Sequence, residues 1–115
     1  MRIFLHNPRC SKSREALKLV TKSGKNFTLR NYITWPLDYD ELVDLQAKLW
    51  LKAIEFTRMK ELEFKEAKLT KDSSDEQILK AMAKFPKLME RPIIYDETKA
   101  FIWRPTENIL NIFKK

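Results

Sequence analysis

The chain opens on Met1-Arg2-Ile3-Phe4-Leu5, an apolar run that stops at His6-Asn7-Pro8. A short apolar run closed by a turn signal reads as a buried strand. From Lys12 to Ser23, Ala16, Leu17 and Val20 share one helix face, and Gly24 supplies a C-terminal stop. Phe27 to Ile33 then alternates as a strand does. A strand, a helix and a strand in that order require a crossover, which is right-handed and makes the two strands parallel. This opening confines the fold to those built on a βαβ unit.

The rest of the chain adds helices and then a hairpin. Trp35-Pro36-Leu37-Asp38 breaks the second strand, and Asp38 can cap a helix with Leu42, Leu45 and Leu49 on its apolar face. Lys52 to Leu69 is charged and rich in helix formers, which predicts one or two short helices. Ser73 with Glu76 and Ser74 with Gln77 form two overlapping capping boxes. They precede a helix carrying Ile78, Leu79, Met82 and Phe85, and Pro86 ends it. Arg91 to Tyr95 and Ala100 to Trp103 read as strands joined by a turn over Asp96 to Lys99. Arg104-Pro105-Thr106 starts a last helix with Ile109, Leu110 and Phe113 inward. The expected fold is α/β, with β-α-β and β-β-α units sharing one mixed sheet. A helical insertion, approximately 38–86, lies between the units, all within a single domain spanning residues 1–115. Pro92 opens a strand, where its missing N–H does least harm. Whether its peptide bond is cis is not legible from these residues alone.

Composition narrows the chemistry. The single cysteine rules out an intramolecular disulfide and a thiolate-rich zinc site, and the single histidine adds little ligand capacity, so no metal is expected. The opening apolar run is too short for a secretion signal or a membrane span, and no later segment comes closer; with a free thiol, this points to the cytoplasm. The net charge is +7, from 23 Lys and Arg against 16 Asp and Glu, which favours anionic partners. Most of these charges fit an ordinary solvated surface. No basic stripe interleaved with aromatics suggests nucleic acid. The stretch from Lys60 to Lys71 alternates in sign, as exposed helices do.

Positive charge concentrates in His6-Asn7-Pro8-Arg9-Cys10-Ser11-Lys12-Ser13-Arg14. This segment joins a strand to a helix and places Cys10 at the helix N-terminus. Unpaired N–H groups and the helix dipole there favour an anion, and favour thiolate over thiol. Arg9, Lys12 and Arg14 add charge, while Ser11 and Ser13 can donate to the sulfur or to a bound oxyanion. One environment would thus activate a nucleophile and bind its target. The alternative, an inert buried thiol, suits so polar a loop poorly. His6 has two open roles: base or thiolate-tuning group, and loop-fixing hydrogen bonder. Ser13 stands where a dithiol oxidoreductase has its second cysteine. A resolving thiol must therefore come from another molecule, and glutathione is the abundant candidate.

The segment His6-Asn7-Pro8-x-Cys10-x-x-Ser13-Arg14 resembles the active-site loop of the glutaredoxin-linked, ArsC-type arsenate reductases. The likeness continues through Tyr32, Pro36 and Glu41-Leu42, Arg58 with Phe64, Pro86-Lys87-Leu88-Met89-Glu90-Arg91-Pro92-Ile93, and Arg104-Pro105. It implies a thioredoxin-like fold with a helical insertion. By the same resemblance Cys10 is the nucleophile, and His6, Ser13 and Arg14 belong to the loop that tunes it. Arg58, Arg91 and Arg104 match the anion-binding arginines, and Pro92 matches a cis proline beside the site. The planar, permanently charged guanidinium suits a tetrahedral oxyanion or a glutathione carboxylate. The implied activity is reduction of arsenate by a monomer with no tightly bound cofactor, glutathione as co-substrate and glutaredoxin as partner. Arg9, Ser11, Lys12 and Phe64 depart from the pattern common among these enzymes.

Two other readings share some of these features. Spx-type regulators have the same fold and use a Cys-x-x-Cys pair, which Ser13 interrupts here. A cysteine phosphatase needs an arginine where this chain has Ala16, and Arg14 comes too early. A reductase-like enzyme acting on another oxyanion or on a glutathionylated substrate is a third alternative.

Overall fold

The structure is a computed structural model, and it describes residues 2–102 and residue 112. Two compact units divide the chain, Met1–Trp35 with Arg91–Lys115, and Pro36–Glu90.

The first unit holds a four-stranded sheet. Its strands are β1 (Ile3–His6), β2 (Thr28–Asn31), β3 (Ile93–Tyr95) and β4 (Ala100–Ile102). They lie in the order β2-β1-β3-β4. β1 pairs parallel to β2, with Phe4 opposite Leu29, and antiparallel to β3, with Phe4 opposite Ile94. β3 pairs antiparallel to β4. This is the mixed sheet that the strand pattern implies, and it agrees with the thioredoxin-like fold that the family resemblance implies. Helix α1 (Ser11–Lys22) links β1 to β2. Strand side chains alternate between faces, so Phe4 and Ile94 meet Ala16 and Val20 of α1 on one side, with Ile112 completing the cluster. Leu5 and Ile93, one residue out of phase, are just as deeply buried.

Local chemistry sets the element ends. α1 starts one residue before the expected Lys12, because Cys10 takes the extended cap conformation. Gly24 follows the C-cap with φ +75°, a left-handed conformation that glycine adopts without a Cβ penalty. β2 is shorter than the expected Phe27 to Ile33. Asn31 Oδ1 accepts the N–H groups of Ile33 and Thr34, and its carbonyl accepts that of Trp35, which turns the chain away from the sheet. β3 starts at Ile93 rather than Arg91. The β3–β4 turn closes on Asp96, whose carboxylate accepts the N–H groups of Thr98 and Lys99. Trp103 and the expected last helix, with Arg104, Ile109, Leu110 and Phe113, lie outside the described residues.

The second unit is helical: α2 (Tyr39–Leu49), α3 (Leu62–Glu66) and α4 (Asp75–Lys84), with 3-10 turns at Ala53–Phe56 and Pro86–Leu88. Helix α4 packs against α2 and both 3-10 turns, and Leu42, Leu45, Phe56, Ile78, Leu79, Met82 and Leu88 are buried. Asp38 closes a capping box on α2: its carboxylate accepts Glu41 N–H at 2.8 Å, and Glu41 accepts Asp38 N–H at 3.1 Å. Of the two overlapping boxes before α4, Ser74 with Gln77 forms. Ser73 instead accepts the Thr70 N–H, which closes the preceding turn. Pro86 ends α4 and opens the 3-10 turn, since a missing N–H does no harm in a first turn.

Asp38→Ala removes the carboxylate cap of α2 and should cost about 1 kcal/mol of stability. Urea unfolding should show a lower midpoint with an unchanged slope.

Candidate active site at the N-terminus of the first helix

β1 ends at His6, and the chain must then turn into α1. Asn7 makes that turn: its carbonyl accepts Cys10 N–H at 3.0 Å and its Oδ1 accepts Arg9 N–H at 3.1 Å. Cys10 occupies the cap position with φ −96° and ψ 124°, and its carbonyl accepts the first helical bond from Arg14 N–H at 3.0 Å. The Cys10 side chain makes no capping hydrogen bond, and no acidic residue occupies the first turn. The positive end of the helix is thus left to the sulfur and whatever anion approaches it.

The partly exposed Cys10 thiol is the only one in the chain. Partial burial pushes its pKa up. Opposing this are the Ser13 backbone N–H, the charge and side-chain hydrogen bond of Arg91, and the Lys12 backbone N–H, and together they hold the thiol below the ordinary cysteine value. Four parts of the chain act here: the cap itself, two first-turn amides, and the residue preceding Pro92. The Arg91–Pro92 peptide is cis, and Pro92 is buried.

Ser13 contributes differently from the sequence expectation. Its hydroxyl is fully buried and lies 2.7 Å from His6 Nδ1, and it accepts Asn7 N–H at 3.0 Å. The hydroxyl is committed to these partners, so the group Ser13 turns to the sulfur is its amide. Ser11 is exposed, and the neighbouring amide that acts on the sulfur is that of Lys12. His6 is 6% exposed, and burial followed by the Arg14 charge lowers its pKa, favouring the neutral imidazole. The hydrogen bond to Ser13 is of the loop-fixing kind. Arg14 Nη1 donates to the Pro8 carbonyl at 2.9 Å, drawing the loop against the helix.

Arg91 lies in the same unit as Cys10. Arg58 lies in the helical unit, where Nη1 meets Glu61 Oε1 at 3.0 Å and Nε lies 3.8 Å from Glu90 Oε1. Arg104 lies outside the described residues. Sequence reasoning missed Asn7 as the organiser of the turn, although an Asx residue before proline is a turn signal. It also missed the two carboxylates on Arg58. Glu61 follows Arg58 at i+3, but nothing in the sequence points to Glu90. Arg30 was missed as well: it is 5% exposed, donates Nε to the Trp35 carbonyl at 3.0 Å, and lies 4.2 Å from the Trp35 ring. Among the described residues no group of three or more His, Cys, Asp or Glu could hold a metal ion, and no helix is long and apolar enough to cross a membrane.

Cys10 should alkylate with a pH midpoint below that of a free thiol, and Arg91→Gln should move the midpoint up. Because folding lowers this pKa, the stability it contributes is complete above the unfolded value and is lost as pH falls through the folded value. Iodoacetamide rates across pH, with denaturation midpoints at matched pH, check both statements.

The chain is similar to known proteins over nearly its whole length. A model of the ArsC family matches residues 5–112. The chain is 45% identical over 109 residues to the uncharacterized protein YfgD of Escherichia coli, covering 93% of this chain and 92% of that one. It is 41% identical over 111 residues to an arsenate reductase of Neisseria meningitidis serogroup B, covering 95% of this chain and 94% of the other. Among solved structures, an arsenate reductase from Vibrio cholerae superposes with a TM-score of 0.89 at 37% identity, covering 96% of each chain. The mixed sheet and the match along nearly the whole sequence lead to one assignment: the chain belongs to the ArsC family.

Proposed function

We propose that the protein reduces arsenate, with Cys10 as nucleophile, glutathione as the resolving thiol and glutaredoxin as the partner that regenerates the enzyme. The observation that carries this reading is the Cys10 sulfur at the open end of α1, with Arg91 and two backbone amides turned to it. Family membership and the arsenate reductases among the relatives support the choice of oxyanion. In the first step the Cys10 thiolate attacks arsenic(V), and an arsenate oxygen leaves as water after taking up protons. Positive charge from Arg91 and the first-turn amides offsets the negative charge gathered on the oxyanion. Glutathione thiolate then attacks the Cys10 sulfur. The sulfur–arsenic bond breaks, its electron pair stays on arsenic, and arsenite leaves. The two sulfurs, oxidised by two electrons in total, are joined as a Cys10–glutathione disulfide. A glutaredoxin thiolate takes the glutathione and releases Cys10.

Ser13 and His6 position rather than react. Their mutual hydrogen bond and the Asn7 amide fix the first turn, so the Ser13 N–H stays directed at the sulfur. Arg58 and Arg104 enter as further anion-binding groups on the family likeness. The enzyme acts as a monomer in the cytoplasm and carries no tightly bound cofactor.

The test is arsenate-dependent NADPH oxidation coupled through glutathione, glutathione reductase and glutaredoxin. Turnover by the wild type and none by Cys10→Ser is the expected outcome. A wild-type rate no higher than the blank, with the thiol titrating as free, would overturn the reading.

A further inference from the structure

Cys10 begins α1, and the exposed face of that helix is basic from end to end. Between Arg9 and Lys25 the sequence holds six cations and one acid, Glu15, and so carries five of the chain's seven net positive charges. The six cations, Arg9, Lys12, Arg14, Lys18, Lys22 and Lys25, are all exposed. Residues four apart lie above one another on a helix. Arg14, Lys18 and Lys22 therefore form one row, on the side away from the buried Ser13, Ala16 and Val20. The row starts one turn from Cys10 and runs ~12 Å along the surface. All of these residues lie in the same compact unit as Cys10.

The stability of the helix does not account for the row. Arg14 has a local task at the Pro8 carbonyl, and Lys22 suits the negative end of the helix. Lys18 has neither. It stands between two like charges at the spacing where they repel, and among the described residues Glu15 forms no ion pair with it. Lys12 sits in the first turn, where the dipole disfavours a cation. Charges kept against the preference of their own helix point to a use outside the fold. A small oxyanion covers only a fraction of such a row, whereas a protein face covers all of it. No aromatic residue stands between Arg9 and Lys25 to stack on a base, which tells against nucleic acid.

We propose that Arg14, Lys18 and Lys22, flanked by Arg9, Lys12 and Lys25, are the docking surface for the protein that reduces the Cys10 disulfide, and that this partner presents acidic residues around its own thiol. The inference rests on the proposed glutathione disulfide and adds the surface that its reductant recognises. In that exchange the partner thiolate attacks the glutathione sulfur. The bond to the Cys10 sulfur breaks, its electron pair leaves on the Cys10 thiolate, and a partner–glutathione disulfide forms. Complementary charge speeds the encounter, and salt screens it.

The Cys10–glutathione disulfide is prepared with oxidised glutathione, then reduced either by glutaredoxin from the source organism or by dithiothreitol, an uncharged thiol. At low ionic strength the second-order rate with glutaredoxin should fall about threefold in Lys18→Glu or Lys22→Glu and about tenfold in the double variant, within the range of electrostatic steering. The difference should fade as salt is raised, and the dithiothreitol rates should stay unchanged. Lys18→Glu should melt no lower than the wild type, because it relieves the like-charge row; a damaged fold would show the opposite. Equal slowing of both reductants, a glutaredoxin rate indifferent to salt and to the variants, or no reaction with glutaredoxin would overturn the inference. So would binding of a short DNA duplex that the variants abolish while the glutaredoxin rate holds. Salt-sensitive reduction by glutaredoxin without arsenate turnover sinks the reductase reading and leaves the docking surface standing. Arsenate turnover with charge-indifferent reduction does the reverse.

Discussion

The buried Ser13 hydroxyl ties the last residue of β1 to the first turn of α1. It meets His6 at 2.7 Å and Asn7 N–H at 3.0 Å, with the Ser13 side chain itself fully buried. Leaving such a group unsatisfied costs about 1–3 kcal/mol, so the junction has a strong preference for one geometry. The position of the sulfur follows from it. Once Asn7 and Ser13 are joined, Cys10 must cap the helix, and the amides of Lys12 and Ser13 fall beneath its side chain. The neutral state of His6 belongs to the same arrangement, since a buried imidazole beside the Arg14 charge resists a proton.

Much of this was legible in the residues. The apolar run to Leu5, the turn at Asn7-Pro8 and the face of Ala16, Leu17 and Val20 specify the βαβ unit, because strand and helix periodicities differ and each was plainly written. The cap at Asp38 appeared where the sequence placed it, for the chemistry of a cap is local. The end of β2 was not legible. Asn31 there competes with the sheet through its own side chain, and a propensity for strand in Ile33 could not reveal the outcome. The choice of Ser74 over Ser73 was equally hidden, because both boxes are sound locally and a neighbouring turn took one of them.

The site divides in the same way. Cys10 could be found because a thiol at a strand-to-helix turn among basic residues has few other uses. Arg91 needed the resemblance, since an isolated arginine carries no mark that distinguishes it from a solvated one. The partners of Arg58 escaped both approaches. Glu90 is distant in sequence, and its nearness comes from the short ladder at Thr57 and Met89. Arg30 shows the same limit: an arginine in a strand gives no sign that it will stack on a tryptophan and be buried.

The missing cap on α1 has a consequence for what can remain attached to the sulfur. A helix with no acidic residue in its first turn draws part of its stability from whatever negative charge sits at its start, and ionisation of Cys10 supplies one. A disulfide at Cys10 replaces the anion with a neutral sulfur and withdraws that contribution. The oxidised form is thereby held less firmly than the reduced one, and a sulfur whose thiolate is stabilised departs readily when its disulfide is attacked. In the proposed cycle the start of this helix would therefore work as a spring against oxidation, biasing the chain toward release of the glutathione held on Cys10.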